Sequence, residues 1–204
     1  MIIYTYPIQT AFTERDVAML QPNYKVKTLA FTNSPIKLPL FFLIQFFQLI
    51  FYLPKTSHYL CFFGGYHSVL PTVLGKLFRK KVFIQCGGTD AMNLPEINYG
   101  NFRKKWLRMA TVFSFKHCSM ILPVADALVH QDYTYDPRFD SRQGLLPLIP
   151  NLKTPIEVIH NGFDTIFWED QQMDKIPFSF ITVATGITRQ NRAAVKGIDL
   201  ILDM

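Results

Sequence analysis

The loop that follows the first apolar run of this 204-residue chain, YPIQTAFTER (Tyr6 to Arg15), contains no glycine. A dinucleotide-dependent oxidoreductase needs GxGxxG at that turn, so that the backbone can approach a pyrophosphate, and this class is excluded. GxxxxGK followed by Ser or Thr is also absent, which excludes a P-loop enzyme. Cysteine is scarce: Cys61, Cys86 and Cys118 are odd in number and form no CxxC pair. Neither a disulfide framework nor a zinc cluster is suggested by such spacing, and reduced thiols in the cytoplasm are the plain reading. MIIYTYPIQT lacks the basic segment of a secretory signal, so no export signal is read and its apolar start is taken as a first strand.

What is present is ample core material. Apolar residues make up 49% of the chain, and the mean hydropathy is +0.13. That is globular composition. Against 15 Asp and Glu stand 21 Lys and Arg, a net charge of +6. A basic surface favours phosphates, anionic lipid headgroups or nucleic acid without choosing among them. The runs MIIYTY, KVKTLAF (Lys25 to Phe31), SHYLCFF (Ser57 to Phe63), KVFIQC and SMILPV have the β-branched and aromatic content of strands. Between them, Ser68 to Phe78 and Asn101 to His117 carry apolar residues near helical spacing. Strands alternating with helices predict a Rossmann-like α/β fold, a parallel sheet with helices on both faces.

In such a sheet the loops at the carboxyl ends of the strands line the ligand crevice. FFGGYHS (Phe62 to Ser68) and QCGGTD (Gln85 to Asp90) both occupy that position. Gly64, Gly65, His67, Gly87, Gly88, Thr89 and Asp90 are therefore the candidate cleft residues, with glycines where a turn or a close approach leaves no room for a Cβ. His67 has two readings, contact with a bound molecule or anchorage of its own loop. Thr89 and Asp90 have a structural alternative as caps of the next turn or helix.

Leu38 to Leu53, LPLFFLIQFFQLIFYL, is sixteen residues without a charge, six of them aromatic. As a helix it reaches about 24 Å, short of the roughly 30 Å hydrocarbon core, so it is not expected to span. Gln45 and Gln48, three apart, form a thin polar stripe. Two readings stand: a helix buried in the core, or one lying at a membrane interface. Arg103, Lys104, Lys105 and Arg108 crowd the start of a predicted helix, where the macrodipole disfavours cations. They read either as a solvated face or as a contact with anionic lipid or phosphate.

The last quarter is the most informative. IEVIHNGFDTIFW (Ile156 to Trp168) reads as a short strand followed by a sharp exit at Asn161-Gly162. After the link Glu169 to Pro177, FSFITVATGI opens a new strand and RQNRAAVKGIDLILDM a new loop and helix. GGTD after a strand, VIHNGFD near residue 160 and KGIDLIL after a fresh strand resemble, in this order, the family-4 retaining glycosyltransferases of GT-B architecture.

The resemblance covers essentially the whole chain. It implies an N-terminal acceptor-side domain over 1–168, an interdomain linker over 169–177 and the first strand and helix of a truncated donor-binding domain over 178–204. Lys196 and Gly197, with Arg189 or Arg192, are implied to hold the donor diphosphate. His160, Asn161, Gly162 and Asp164 are implied to lie at the domain junction. A nucleotide-sugar is implied as donor substrate and a glycan or lipid-linked molecule as acceptor, with no cofactor, no metal and no nucleic-acid partner. The expected setting is the cytoplasm, with peripheral contact at the inner face of an anionic membrane as a further option. The family often carries a His where this chain has Gly87, so no catalytic residue is assigned. The competing expectation is a non-enzymatic module that binds an anionic glycan or lipid headgroup.

Overall fold

The computed structural model describes residues 1–134 and 140–162, with the single positions 177 and 198. Strands β1 (Ile2–Tyr6), β2 (Val26–Ala30), β3 (His58–Phe62), β4 (Lys81–Cys86) and β5 (Met120–Pro123) form one parallel sheet in the order β2-β1-β3-β4-β5. Helices α1 (Ala11–Leu20), α2 (Leu38–Tyr52), α3 (Tyr66–Leu77) and α4 (Lys105–His117) connect them. The expected Rossmann-like α/β class is met.

Strand order dictates where the helices go. The step from β1 to β2 runs one way along the sheet and the later steps run the other way. With right-handed crossovers α1 falls on one face and α2, α3 and α4 on the opposite one. The pleat divides the side chains accordingly. Ile3, Tyr59, Cys61, Val82, Ile84 and Ile121 share a core with Leu49 of α2, Leu74 of α3 and Phe115 of α4. Tyr4, Tyr6 and Phe62 pack on the other side with Val17 of α1. There the Tyr4 hydroxyl donates to Asp16 Oδ2 at 2.8 Å.

Pro71 sits inside α3, where it removes the N–H that would bond the carbonyl of His67 one turn back. That carbonyl instead accepts from Gln45 Nε2 of α2 at 2.8 Å. A helix defect in α3 thus becomes the socket for α2, and it explains why Gln45 is buried in an otherwise apolar segment. Gln48 is only half-buried, so the two glutamines do not act as one stripe.

Three features differ from expectation. The stretch 101–117 is broken: Asn101–Arg103 is a 3-10 turn, Lys104 is extended and α4 begins at Lys105. The Ile156 segment is a single parallel bridge to Ile121 rather than a full strand. It still follows β5, with Glu157 N–H donating to Ile121 O at 3.0 Å and Ile159 N–H to Pro123 O at 2.9 Å. Along α2 only Gln45 and Leu49 are buried, so this is not a core helix. The linker at 169–177 and the second unit at 178–204 lie outside the described residues, positions 177 and 198 excepted.

Gly75 of α3 marks the closest approach of helix to sheet. A Cβ there would lie 2.2 Å from Val82 Cγ2 and 3.0 Å from Lys80 O. Alanine gains about 1 kcal/mol of helix propensity, but overpacking against a β-branched core residue costs about 1 to 3 kcal/mol. Gly75→Ala is therefore expected to destabilise the domain, read as a lower urea midpoint at unchanged slope.

Candidate functional site

The order β2-β1-β3 makes the gap between β1 and β3 the topological switch point of the sheet, where the following chains diverge and leave a crevice. A cleft of about 250 Å³ occupies this place. Pro7, Ile8 and Thr10 reach it from the loop after β1, Thr32 and Asn33 from the loop after β2, and Phe62 to His67 from the end of β3 and the start of α3. Thr89 and Asn101 close it from the β4 to α4 connection and Leu107 from the start of α4. Among the described residues the lining carries hydroxyls, amides and aromatic rings but no Asp, Glu, Lys or Arg.

Beneath the cleft lies Asp90, fully buried. Its Oδ2 accepts from Gly64 N–H at 2.8 Å, and its Oδ1 from Gly87 and Gly88 N–H, each at 3.1 Å. One carboxylate therefore ties both glycine pairs together. The carbonyl of Gly64 is held as well, by Asn101 Nδ2 at 2.9 Å. A Cβ on Gly64 would meet Phe115 Cζ at 2.8 Å, so the residue must be glycine for α4 to pack there.

Gly87 has a different reason. A side chain there would strike the ring of Phe63, with Cε1 only 1.7 Å from the Cβ position. Phe63 holds that ground in a left-handed conformation, φ +70°, with its ring stacked on Phe62 at a centroid separation of 4.1 Å. Phenylalanine rarely adopts such an angle, and here it brings a second aromatic face to the cleft.

His67 lines the cleft yet is almost wholly buried, with Nε2 2.8 Å from Phe62 O. Burial pushes its pKa down to about 4, against the pull of the Phe62 and Phe63 backbone. It is neutral at pH 7 and its Nε2 proton is committed to the loop. The thiols are equally unreactive: burial pushes Cys61 and Cys118 up to about 12, and Cys86 well above its ordinary value.

Of the sequence candidates, Gly64, Gly65, His67 and Thr89 line one cleft and Gly87, Gly88 and Asp90 build its floor. His160, Asn161 and Gly162 are elsewhere. They line a second concavity of about 210 Å³ on the α1 face with Asp16, Met19 and Leu122. There His160 Nδ1 bonds Val124 O at 3.2 Å, which fixes the chain's exit from the sheet. Asp164, Arg189, Arg192, Lys196 and Gly197 lie outside the described residues. Thr10, Thr32, Asn33 and Asn101 were not singled out from sequence. The glycine-free loop after β1 contributes because of where its strand sits, and no motif marks it. Among the described residues no cluster of His, Cys, Asp or Glu is suited to a metal.

No family model, no curated protein and no solved structure matches this chain.

Burial raises the Asp90 pKa, opposed by the backbone N–H groups of Gly64, Asp90 itself, Gly87 and Gly88. A raised carboxyl favours the protonated form more in the folded chain than in the unfolded one. Its contribution to stability is complete below the ordinary value of 3.8 and is lost as pH rises through the folded value. The stability of the wild type relative to Asp90→Asn, from urea unfolding at a series of pH values, should therefore decline as pH increases above 4. At neutral pH, Asp90→Ala strands three N–H donors and is expected to cost about 3 kcal/mol or more.

Proposed function

We propose that the described domain is the acceptor-side half of a retaining, metal-independent glycosyltransferase of GT-B architecture, which moves a sugar from a nucleotide-sugar to a glycan or lipid-linked acceptor. The observation that carries this reading is the character of the switch-point cleft. Its uncharged hydroxyls and amides match a ligand rich in hydroxyl groups, and Phe63 and Tyr66 offer rings against which a sugar packs.

In this proposal the acceptor side binds and orients, while the charge developing on the departing nucleotide diphosphate is met from the second unit. Lys196, beside Gly197 at the start of a predicted helix, supplies an ammonium and backbone donors for it, with Arg189 or Arg192 as the second cation. Such a leaving group needs no metal when two cations neutralise it.

A non-enzymatic reading is favoured by one observation. Among the described residues that line the cleft, the only titratable groups are Tyr66, whose pKa burial raises further, and the neutral, buried His67. No acid or base is offered there, as a pure binding module would have it.

Binding and turnover separate the two. A neutral oligosaccharide titrated into the chain should bind, and Asn33→Leu with Thr89→Val should weaken it by about 1 to 3 kcal/mol in total, the scale of two hydrogen bonds. Turnover of a nucleotide-sugar in the presence of a chelator should be lost by about 2 to 4 kcal/mol in Lys196→Ala and partly recovered in Lys196→Arg. Glycan binding without donor turnover in any form of the protein that carries the donor-side unit selects the binding module. Wild-type turnover in Lys196→Ala removes the diphosphate role.

A further inference from the structure

We infer that the outer face of α2, α3 and α4 is a docking surface for the headgroup region of an anionic lipid bilayer, with α2 lying flat on it. This inference does not depend on the transferase reading.

Eight large apolar side chains project from α2 and the 3-10 turn Pro35–Lys37 that precedes it. Leu40, Leu43, Ile44, Phe47 and Phe51 recur at spacings of three and four and so share one face. Phe47 is 65% exposed, Phe51 75% and Ile36 92%. The neighbouring helices continue the pattern: Val73 and Leu77 on α3, and Trp106, Met109 and Phe113 on α4 are also exposed. Since α2 packs on α3 and α3 on α4, these stripes belong to one side of the molecule. An uncovered apolar surface of this extent calls for a partner.

Charge selects which one. From Val17 to Thr89 the sequence holds eight Lys and Arg and not a single Asp or Glu. Lys37 and Lys55 bracket α2, while Lys104, Lys105 and Arg108 surround the exposed Trp106. Apolar side chains with an interfacial tryptophan and a basic border are what a negatively charged bilayer surface attracts. A second copy would bring the same cations against themselves. The cations at the start of α4, unfavourable to its dipole and without an acid in the first turn, gain a counter-charge in this arrangement.

Pro35–Lys55 is long and apolar enough to cross a membrane. Its inner face prevents that here: Leu49 is fully buried in the main core, and Gln45 satisfies the carbonyl that Pro71 leaves open. Withdrawal of α2 into a bilayer would expose the first and orphan the second. The helix therefore stays on the domain and lies parallel to the membrane.

Flotation of the full chain with vesicles tests this. Binding is expected to vesicles of phosphatidylcholine containing about 25 mol% phosphatidylglycerol, to be weak to phosphatidylcholine alone, and to fall as salt rises. Phe47→Ser with Phe51→Ser, both exposed and so tolerated by the fold, should reduce partitioning about tenfold or more. Lys37→Glu with Lys55→Glu should reduce it on anionic vesicles alone, by roughly fivefold for each charge. In a Trp168→Phe background, Trp106 emission should shift to the blue on binding. Wild-type chain that stays in the buffer at low salt overturns the proposal. So does a wild-type dimer in sedimentation that the phenylalanine pair converts to monomer, which makes the face a contact between copies.

Discussion

A single buried carboxylate organises the carboxyl edge of this sheet. Asp90 receives N–H groups from Gly64 at the end of β3 and from Gly87 and Gly88 at the end of β4. Two loops that would otherwise be flexible become one rigid floor. Their close approach demands residues without side chains: Gly64 yields to Phe115 and Gly87 to Phe63. The cleft above inherits its shape from that constraint, since Phe63 keeps its left-handed turn only while position 87 is empty. Within a low-dielectric interior such a group is tolerated because its lone pairs are filled by oriented backbone donors.

A second coupling works through absence. Pro71 deletes a hydrogen bond from α3, and the carbonyl left over becomes the anchor of α2 through Gln45. Gln45, the buried Leu49 and the edge-on contacts of Phe41 and Phe42 with Phe31 hold a helix whose outer face is largely apolar and open. The core is thus completed with only a small fraction of the α2 surface, and the remainder is available to a partner. In the proposed arrangement this frees the helix layer for lipid while the cleft, at the strand ends, is left for a ligand.

Much of this was legible in the residue pattern. Runs of β-branched and aromatic residues located the five strands of the sheet, and apolar residues at helical spacing located α3 and α4, while α1 (Ala11–Leu20) was not read from the sequence. The glycine pairs pointed to the crevice since loops at the carboxyl ends of strands are where it forms. Less visible were helix boundaries. Nothing local signals that Lys104 is extended, whereas the loop it ends is pinned from afar, Gln143 holding Asn93 N–H at 2.8 Å.

By itself the sequence determined the α/β class, the positions of the strands, the exclusion of glycine-rich nucleotide loops and the uneven placement of charge. These are properties of period, composition and spacing, all local along the chain. Tertiary structure alone decided that β1 lies between β2 and β3, which turns the glycine-free first loop into a wall of the cleft. It also decided that His67 is buried with Nε2 against the Phe62 carbonyl and that His160 lines a concavity on the α1 face, apart from the cleft of the glycine pairs. Above all it decided that α2, apolar almost throughout, is exposed. Hydropathy records what a side chain would prefer, but which face of a helix meets the core depends on its neighbours, and here the contact is set by a proline one helix away.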